Sequence, residues 1–183
     1  MNLENLNDNK VRQFMLDEID FDVRNGKLYL CSYFNGNGQA AYPNLIRDAV
    51  RNYDDQWLAS QLRQGRCMNA TAMRRKPKGG YTEVKVPVTA PDTFAEGEFN
   101  RFYARGLCLA AIEAGIAALQ VYRAKPVLNP RPESMAKIGT MISPATLLQD
   151  LRTHQGTDTA LGLPPGPNSG LSVRIPAAIA AGA

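Results

Sequence analysis

The stretch from Thr93 to Ala114 constrains this chain more than any other. Thr93-x-x-Glu96 reads as a capping box, with Glu96 and Glu98 at the positive end of the helix dipole. Phe99, Tyr103, Leu107, Ala110 and Ala114 fall in one stripe, and Phe102, Leu109 and Ile112 widen it. The spacing predicts a helix over 93–114 that is buried on most sides, stopped by Gly115. The flanks read as strands. Tyr81–Val88 alternates, with Val84, Val86 and Val88 on one face, and Pro87 confines it to a sheet edge because it donates no ladder bond. Leu119–Ala124 is the second strand. Strand, helix and strand in that order form a βαβ-like unit whose pairing direction stays open. With 44% hydrophobic and 21% charged residues, the 183-residue chain has the composition of one globular domain able to bury a core.

The N-terminal part carries a short helix and a turn signal. Val11, Phe14 and Met15 share a helical face within Asp8–Asp17. Phe21–Arg24 and Lys27–Leu30 flank Asn25-Gly26, a dipeptide suited to a type I′ turn. That register pairs Val23 with Leu28 and Phe21 with Leu30, all on the buried face of a hairpin packed on the long helix. Asn35–Gly38 reads as a loop, and Pro43 as the first residue of a helix through Leu45, Ile46, Ala49, Val50 and Tyr53. Asp54-Asp55 recaps a helix through Trp57, Leu58, Gln61 and Leu62, with Gly65 at its C-terminal end.

Arg66–Gly80 reads as a polar connector. No acidic residue occurs between Gln56 and Thr82, while Arg63, Arg66, Arg74, Arg75, Lys76 and Lys78 fall inside that window. Such a run attracts phosphate, but aromatic interleaving is poor, with Tyr81 at the far edge. The expectation is an exposed loop in which Arg74, Arg75, Lys76 and Lys78 meet an acidic protein surface, with nucleic acid as the second choice. Beyond Lys125 the composition shifts. Pro126, Pro130 and Pro132 stiffen the chain, and Ser143-Pro144 opens a short helix through Leu147, Leu148 and Leu151. Thr157–Gly170 is too rich in Pro and Gly for regular structure, and Leu171–Ile175 alternates as a last strand. The predicted organisation is an α+β core over 1–125 and an extended arm over 126–183. Leu171, Val173 and Ile175 are its candidate partner-binding residues, adding to a sheet edge.

Chemistry finds little support. Cys31, Cys67 and Cys108 are widely spaced with no C-x-x-C, so they read as free thiols of a reducing cytosol. The polar, acidic start is unlike a secretory signal, and no apolar run reaches the ~20 residues of a membrane helix. His154 is the single histidine and sits in the last turn of a predicted helix, where it faces the negative dipole end. Asp20/Asp22, Asp54/Asp55 and Glu96/Glu98 are carboxylate pairs, but the first flanks the hairpin and the others lie at helix starts. Arg101, Arg105 and Glu113, with Glu98, are expected to form pairs along the helix or to bind a neighbouring subunit. No P-loop, G-x-G-x-x-G or nucleophile elbow occurs, and neither catalysis nor a cofactor is expected.

Four segments carry a resemblance: Ala95-Glu-Gly-Glu-Phe-Asn-Arg-Phe-Tyr-Ala-Arg-Gly-Leu-Cys108, Val121-Tyr-Arg-Ala-Lys125, Asn129-Pro-Arg-Pro-Glu-Ser134 and Leu161–Arg174. Together they resemble small proteins of the virion gene sets of tailed phages and prophages, over roughly the C-terminal two thirds. The resemblance implies a non-enzymatic structural protein of the virion, either capsid-associated (decoration or minor capsid) or head–tail connecting, assembled in the bacterial cytoplasm. Its implied partners are other virion proteins and copies of itself, with nucleic acid possible through the basic segment and no membrane. The alternative is a basic nucleic-acid-binding accessory protein.

Overall fold

The computed structural model describes residues 1–155, 161 and 169–176. The fold is α+β and is organised around one central helix. Its elements are α1 (Asn9–Arg24), α2 (Gly36–Asn52), α3 (Asp55–Gln64), β1 (Thr71–Arg75), β2 (Tyr81–Lys85), α4 (Ala90–Glu113), β3 (Leu119–Arg123), α5 (Pro132–Lys137), β4 (Met141–Ile142), α6 (Pro144–Thr153) and β5 (Leu171–Arg174). Helix α4 packs against α1, α3, α6 and β5. Phe99, Phe102, Tyr103 and Leu107 are fully buried on it, as the apolar stripe requires. The helix starts three residues before the predicted capping box. Thr89 is its N-cap residue without a side-chain bond, and Pro91 and Asp92 occupy its first turn. Pro91 lacks only an N–H that the first turn leaves unbonded anyway.

The predicted N-terminal hairpin is corrected: Phe21–Arg24 continues α1. The reason lies on the opposite face from Val23. Val11, Met15, Glu18, Ile19 and Asp22 follow helical spacing and are all buried. A strand would split Glu18 and Asp22 from their shared arginine partner on α4. Asn25-Gly26 uses its conformational freedom differently from a hairpin turn. Gly26 takes φ 63°, its N–H donates to the Val23 carbonyl at 3.2 Å, and Lys27 N–H donates to Asp22 at 2.7 Å. These two bonds are a Schellman helix terminus, which needs one left-handed residue where a type I′ turn needs two; Asn25 stays at φ −95°. Val23 and Leu30 accordingly face solvent.

Two further boundaries move. Asn35 caps α2, its side chain accepting from Gly38 N–H at 3.0 Å, so Asn35–Gly38 opens a helix rather than a loop. Pro43 therefore lies inside α2, not at its first position. Asp54 caps α3 as its spacing predicts, accepting from Trp57 N–H at 2.9 Å. Aromatic rings seal the junction of α2 and α4: Phe94 stands edge-on to Phe34 and Tyr42, with centroids 4.7 and 4.9 Å away.

Strands β2 and β3 flank α4 in sequence but lie in different sheets, so the βαβ-like unit does not form. β1 and β2 pair antiparallel as a separate hairpin, and β4, β3 and β5 form an antiparallel sheet with β3 in the middle. That sheet draws strands from both sides of residue 125. Leu147, Leu148, Leu151, Leu171 and Val173 belong to the same buried cluster as Phe99 and Leu107. The described part of 126–183 is thus core as much as arm. Asn100 on α4 fixes β5 from within: its amide donates to the Leu171 carbonyl at 2.8 Å and its oxygen accepts from Ser172 Oγ at 2.7 Å. Of the predicted Thr157–Gly170 stretch, 157–160 and 162–168 lie outside the described residues.

Candidate functional site

The basic segment is not a loop but a β-hairpin. Thr71 pairs with Lys85, Met73 with Glu83, Arg74 with Thr82 and Arg75 with Tyr81. Opposed residues share a face, so Arg75 and Tyr81 stand side by side while Arg74 points to the other side. The tip closes through Lys76 N–H to the Gly80 carbonyl at 2.9 Å, with Gly79 and Gly80 both at positive φ. The root is pinned: Asn69 N–H donates to Tyr33 at 2.8 Å, and the Asn69 amide donates to the Phe34 carbonyl at 3.0 Å. Beyond the root neither strand packs extensively on another element. Arg74, Arg75, Lys76, Lys78 and Lys85 are exposed, and Met73 and Tyr81 each leave 65% of their surface open.

Charge is concentrated here. Residues 71–85 hold five cations and one carboxylate, Glu83, a net of +4. The whole chain, with 21 cations and 17 anions, also has a net of +4, so the remaining residues balance at 16 of each. Glu83 is itself engaged, accepting from Thr71 Oγ1 at 2.7 Å. Among the described residues none of the five hairpin cations forms an ion pair.

The other charges are locked inward. Arg105, fully buried, donates from Nε to Glu18 at 2.7 Å, and from Nη1 and Nη2 to the two Asp22 oxygens at 2.7 and 2.9 Å. Arg152 of α6 grips Glu18 from the other side, with Nε 2.9 Å from Oε2. Arg101 pairs with Glu98 one turn back and lies 3.6 Å from Asp22. Three carboxylates thus meet three guanidiniums among α1, α4 and α6, and Arg101 and Arg105 stack on the Phe102 ring at 4.8 and 5.1 Å. Burial pushes the Glu18 carboxyl up, but the bonds from Arg152 and the charge of Arg105 outweigh it and hold it below its ordinary value. Burial lowers the Arg101 guanidinium, yet Glu98 brings it above its ordinary value. Arg101 and Glu98 thus make the pair along the helix that the spacing predicts, Arg105 pairs across to α1 instead, and Glu113 meets Lys10 at the surface; buried as they are, Arg101 and Arg105 do not present themselves to a neighbouring subunit.

The remaining candidates have structural duties. Asp20 holds Arg47 at 2.8 Å, Asp55 the Met1 ammonium at 2.8 Å and Glu96 the Lys125 ammonium at 2.5 Å. The exposed His154 ring lies 2.7 Å from Asp150 of its own helix. Cys67 and Cys108 are buried and Cys31 half-buried, all three free thiols. Leu171 and Val173 are buried against the chain's own core and offer nothing to a partner, while Ile175 is partly buried against the same cluster. The three residues therefore do not join the basic residues in one surface. The internal network was missed in the sequence although its signal was present: Glu18/Asp22 and Arg101/Arg105 each stand four apart on faces otherwise apolar. Among the described residues no helix is long and apolar enough to cross a membrane. No family model, curated protein or solved structure matches the chain.

Proposed function

We propose that the chain is a non-enzymatic structural protein of a phage particle, capsid-associated or head–tail connecting, and that the β1–β2 hairpin is the arm by which it engages the assembly. One observation carries the reading: the entire net charge of the chain sits on an exposed hairpin that its own core leaves unpacked. A two-stranded hairpin gains little stability alone, so contact with a partner would supply what the core does not. The resemblance of the segments around Phe99, Tyr122 and Pro130 to virion proteins supports the same role. The body suits it too, since a core cross-linked by internal ion pairs holds the root of the arm in one place.

Mass spectrometry of gradient-purified particles from the strain that encodes the chain tests this. The protein should be present in fixed copy number, and deletion of residues 72–84 should release it from particles without unfolding it. Absence from particles would leave the accessory nucleic-acid-binding reading in its place.

A further inference from the structure

We propose that the β1–β2 hairpin is a ribbon that binds double-stranded DNA, its cations lying against phosphates on both walls of a groove. This rests on the reading of the hairpin as the contact arm and names the partner of that arm.

Charge complementarity disfavours the simplest other partner, a second copy of this chain. Of the 17 carboxylates, Glu83 belongs to the hairpin and Asp158 lies outside the described residues, leaving 15. Fourteen of those 15 already accept a hydrogen bond or form an ion pair within their own chain. Among the described residues of a neighbouring copy only Glu133 is left without such a partner, so a copy offers no concentrated acidic surface to match the hairpin, and its charge favours an external polyanion. Duplex DNA presents phosphates at high density along a regular path.

The shape fits that partner. Two strands lie about 5 Å apart, and a ribbon of that width with its side chains enters a major groove about 12 Å wide. Five residues per strand give an arm of roughly 17 Å before the turn. Arg74 and Arg75 project from opposite faces, and Lys76 and Lys78 flank the tip, so cations point toward both walls at once. Pro77, Gly79 and Gly80 keep the tip free of bulky side chains. Tyr81 and Met73, exposed on the same face as Arg75, are placed to meet the sugars of the wall that Arg75 faces.

The test is fluorescence anisotropy with a labelled 20-base-pair duplex and the full chain. Five phosphate contacts give a log–log salt slope of about −4.5, so affinity should fall about 500-fold between about 50 and 200 mM salt. The variant carrying Arg74→Ser, Arg75→Ser, Lys76→Ser and Lys78→Ser keeps only Lys85, and over the same range its affinity should change about 3.5-fold. Arg51→Gln, an exposed cation elsewhere, should behave as wild type. Equal melting temperatures of all three proteins would establish that folding is unaffected. Wild type that fails to bind the duplex at low salt, or a quadruple variant that binds as well as wild type, overturns the proposal. Binding to DNA-free particles that equals binding to full ones, lost in the quadruple variant, also overturns it in favour of an acidic protein surface, leaving the contact arm standing. If the quadruple variant still enters particles normally and binds no DNA, the DNA ribbon stands and the arm's role in assembly falls.

Discussion

Replacing Arg105 by methionine isolates the buried ion network. The guanidinium is fully buried and satisfies Glu18 and both oxygens of Asp22. Without it Glu18 keeps Arg152, but Asp22 keeps only Arg101 at 3.6 Å. A buried carboxylate stripped of its partner costs about 3–5 kcal/mol. For a chain of this size each kcal/mol shifts the melting temperature by about 2–4 °C, so Arg105→Met should lower it by about 10 °C. The double variant Arg105→Met/Asp22→Leu should regain most of that loss, because Glu18–Arg152 and Glu98–Arg101 remain as closed pairs and apolar side chains fill the vacancy. Thermal melts and urea titrations of the two singles and the double give the coupling energy. A loss below about 1 kcal/mol for Arg105→Met, or a double no better than the single, refutes the reasoning. The acid limb offers a second check. The Glu18 carboxyl is held below its ordinary value, so its contribution is complete above the unfolded pKa, roughly 4.3, and fades as pH falls through the lower folded value.

Four further outcomes are expected. Phe99→Ala, at a fully buried position on α4, should cost about 3–5 kcal/mol in urea titration; little change would mean that the stripe is not the core. Gly106→Ala should destabilise by about 1–3 kcal/mol, because a Cβ there would stand 2.8 Å from the Val11 carbonyl and 2.9 Å from Met15 N on α1, and an unchanged melt would show that the two helices can part at no cost. The buried Tyr42 hydroxyl has no hydrogen-bond partner among the described residues, so Tyr42→Phe should leave the melting temperature unchanged or raise it; a loss beyond about 1 kcal/mol would reveal a bond. Cys108, pushed up to about 12 by burial and then by the charge of Glu18, should resist a thiol reagent at pH 8 in the native state, while half-buried Cys31 reacts first; native labelling of Cys108 would contradict its burial.

The central helix and its buried stripe were legible because one pattern served one purpose: Phe99, Tyr103 and Leu107 repeat at helical spacing and all face the core. The caps at Asp54 and Ser143 were legible for the same local reason. What failed depended on partners distant in sequence. Phe21–Leu30 has a local strand pattern, but Asp22 answers to Arg105, 83 residues away. A type I′ turn at Asn25-Gly26 needs both residues left-handed, whereas only Gly26 is, with Asn25 at φ −95°; a helix terminus needs just that one. The hairpin at 71–85 was half legible. Tyr81–Lys85 alternates, whereas Thr71–Arg75 carries too much charge to look like a strand and becomes one only opposite its partner. That the five hairpin cations form no ion pair among the described residues is not legible in the sequence, since it depends on where the carboxylates lie.

The position of β5 bears on how the protein is made. Val121 on β3 pairs with Val173, 52 residues later, and Asn100 on α4 bonds to Leu171 and Ser172. A ribosome delivers the long helix and the middle strand first, and both must wait for the last strand before the sheet edge is sealed. During that interval the growing chain presents one unpaired side of β3 and an unsatisfied buried amide. A product released early, before Leu171, would keep that edge open and would pair with whatever strand it met. Synthesis through β5 is therefore the step that covers the open side of β3 and satisfies the Asn100 amide, turning a sticky intermediate into a closed core.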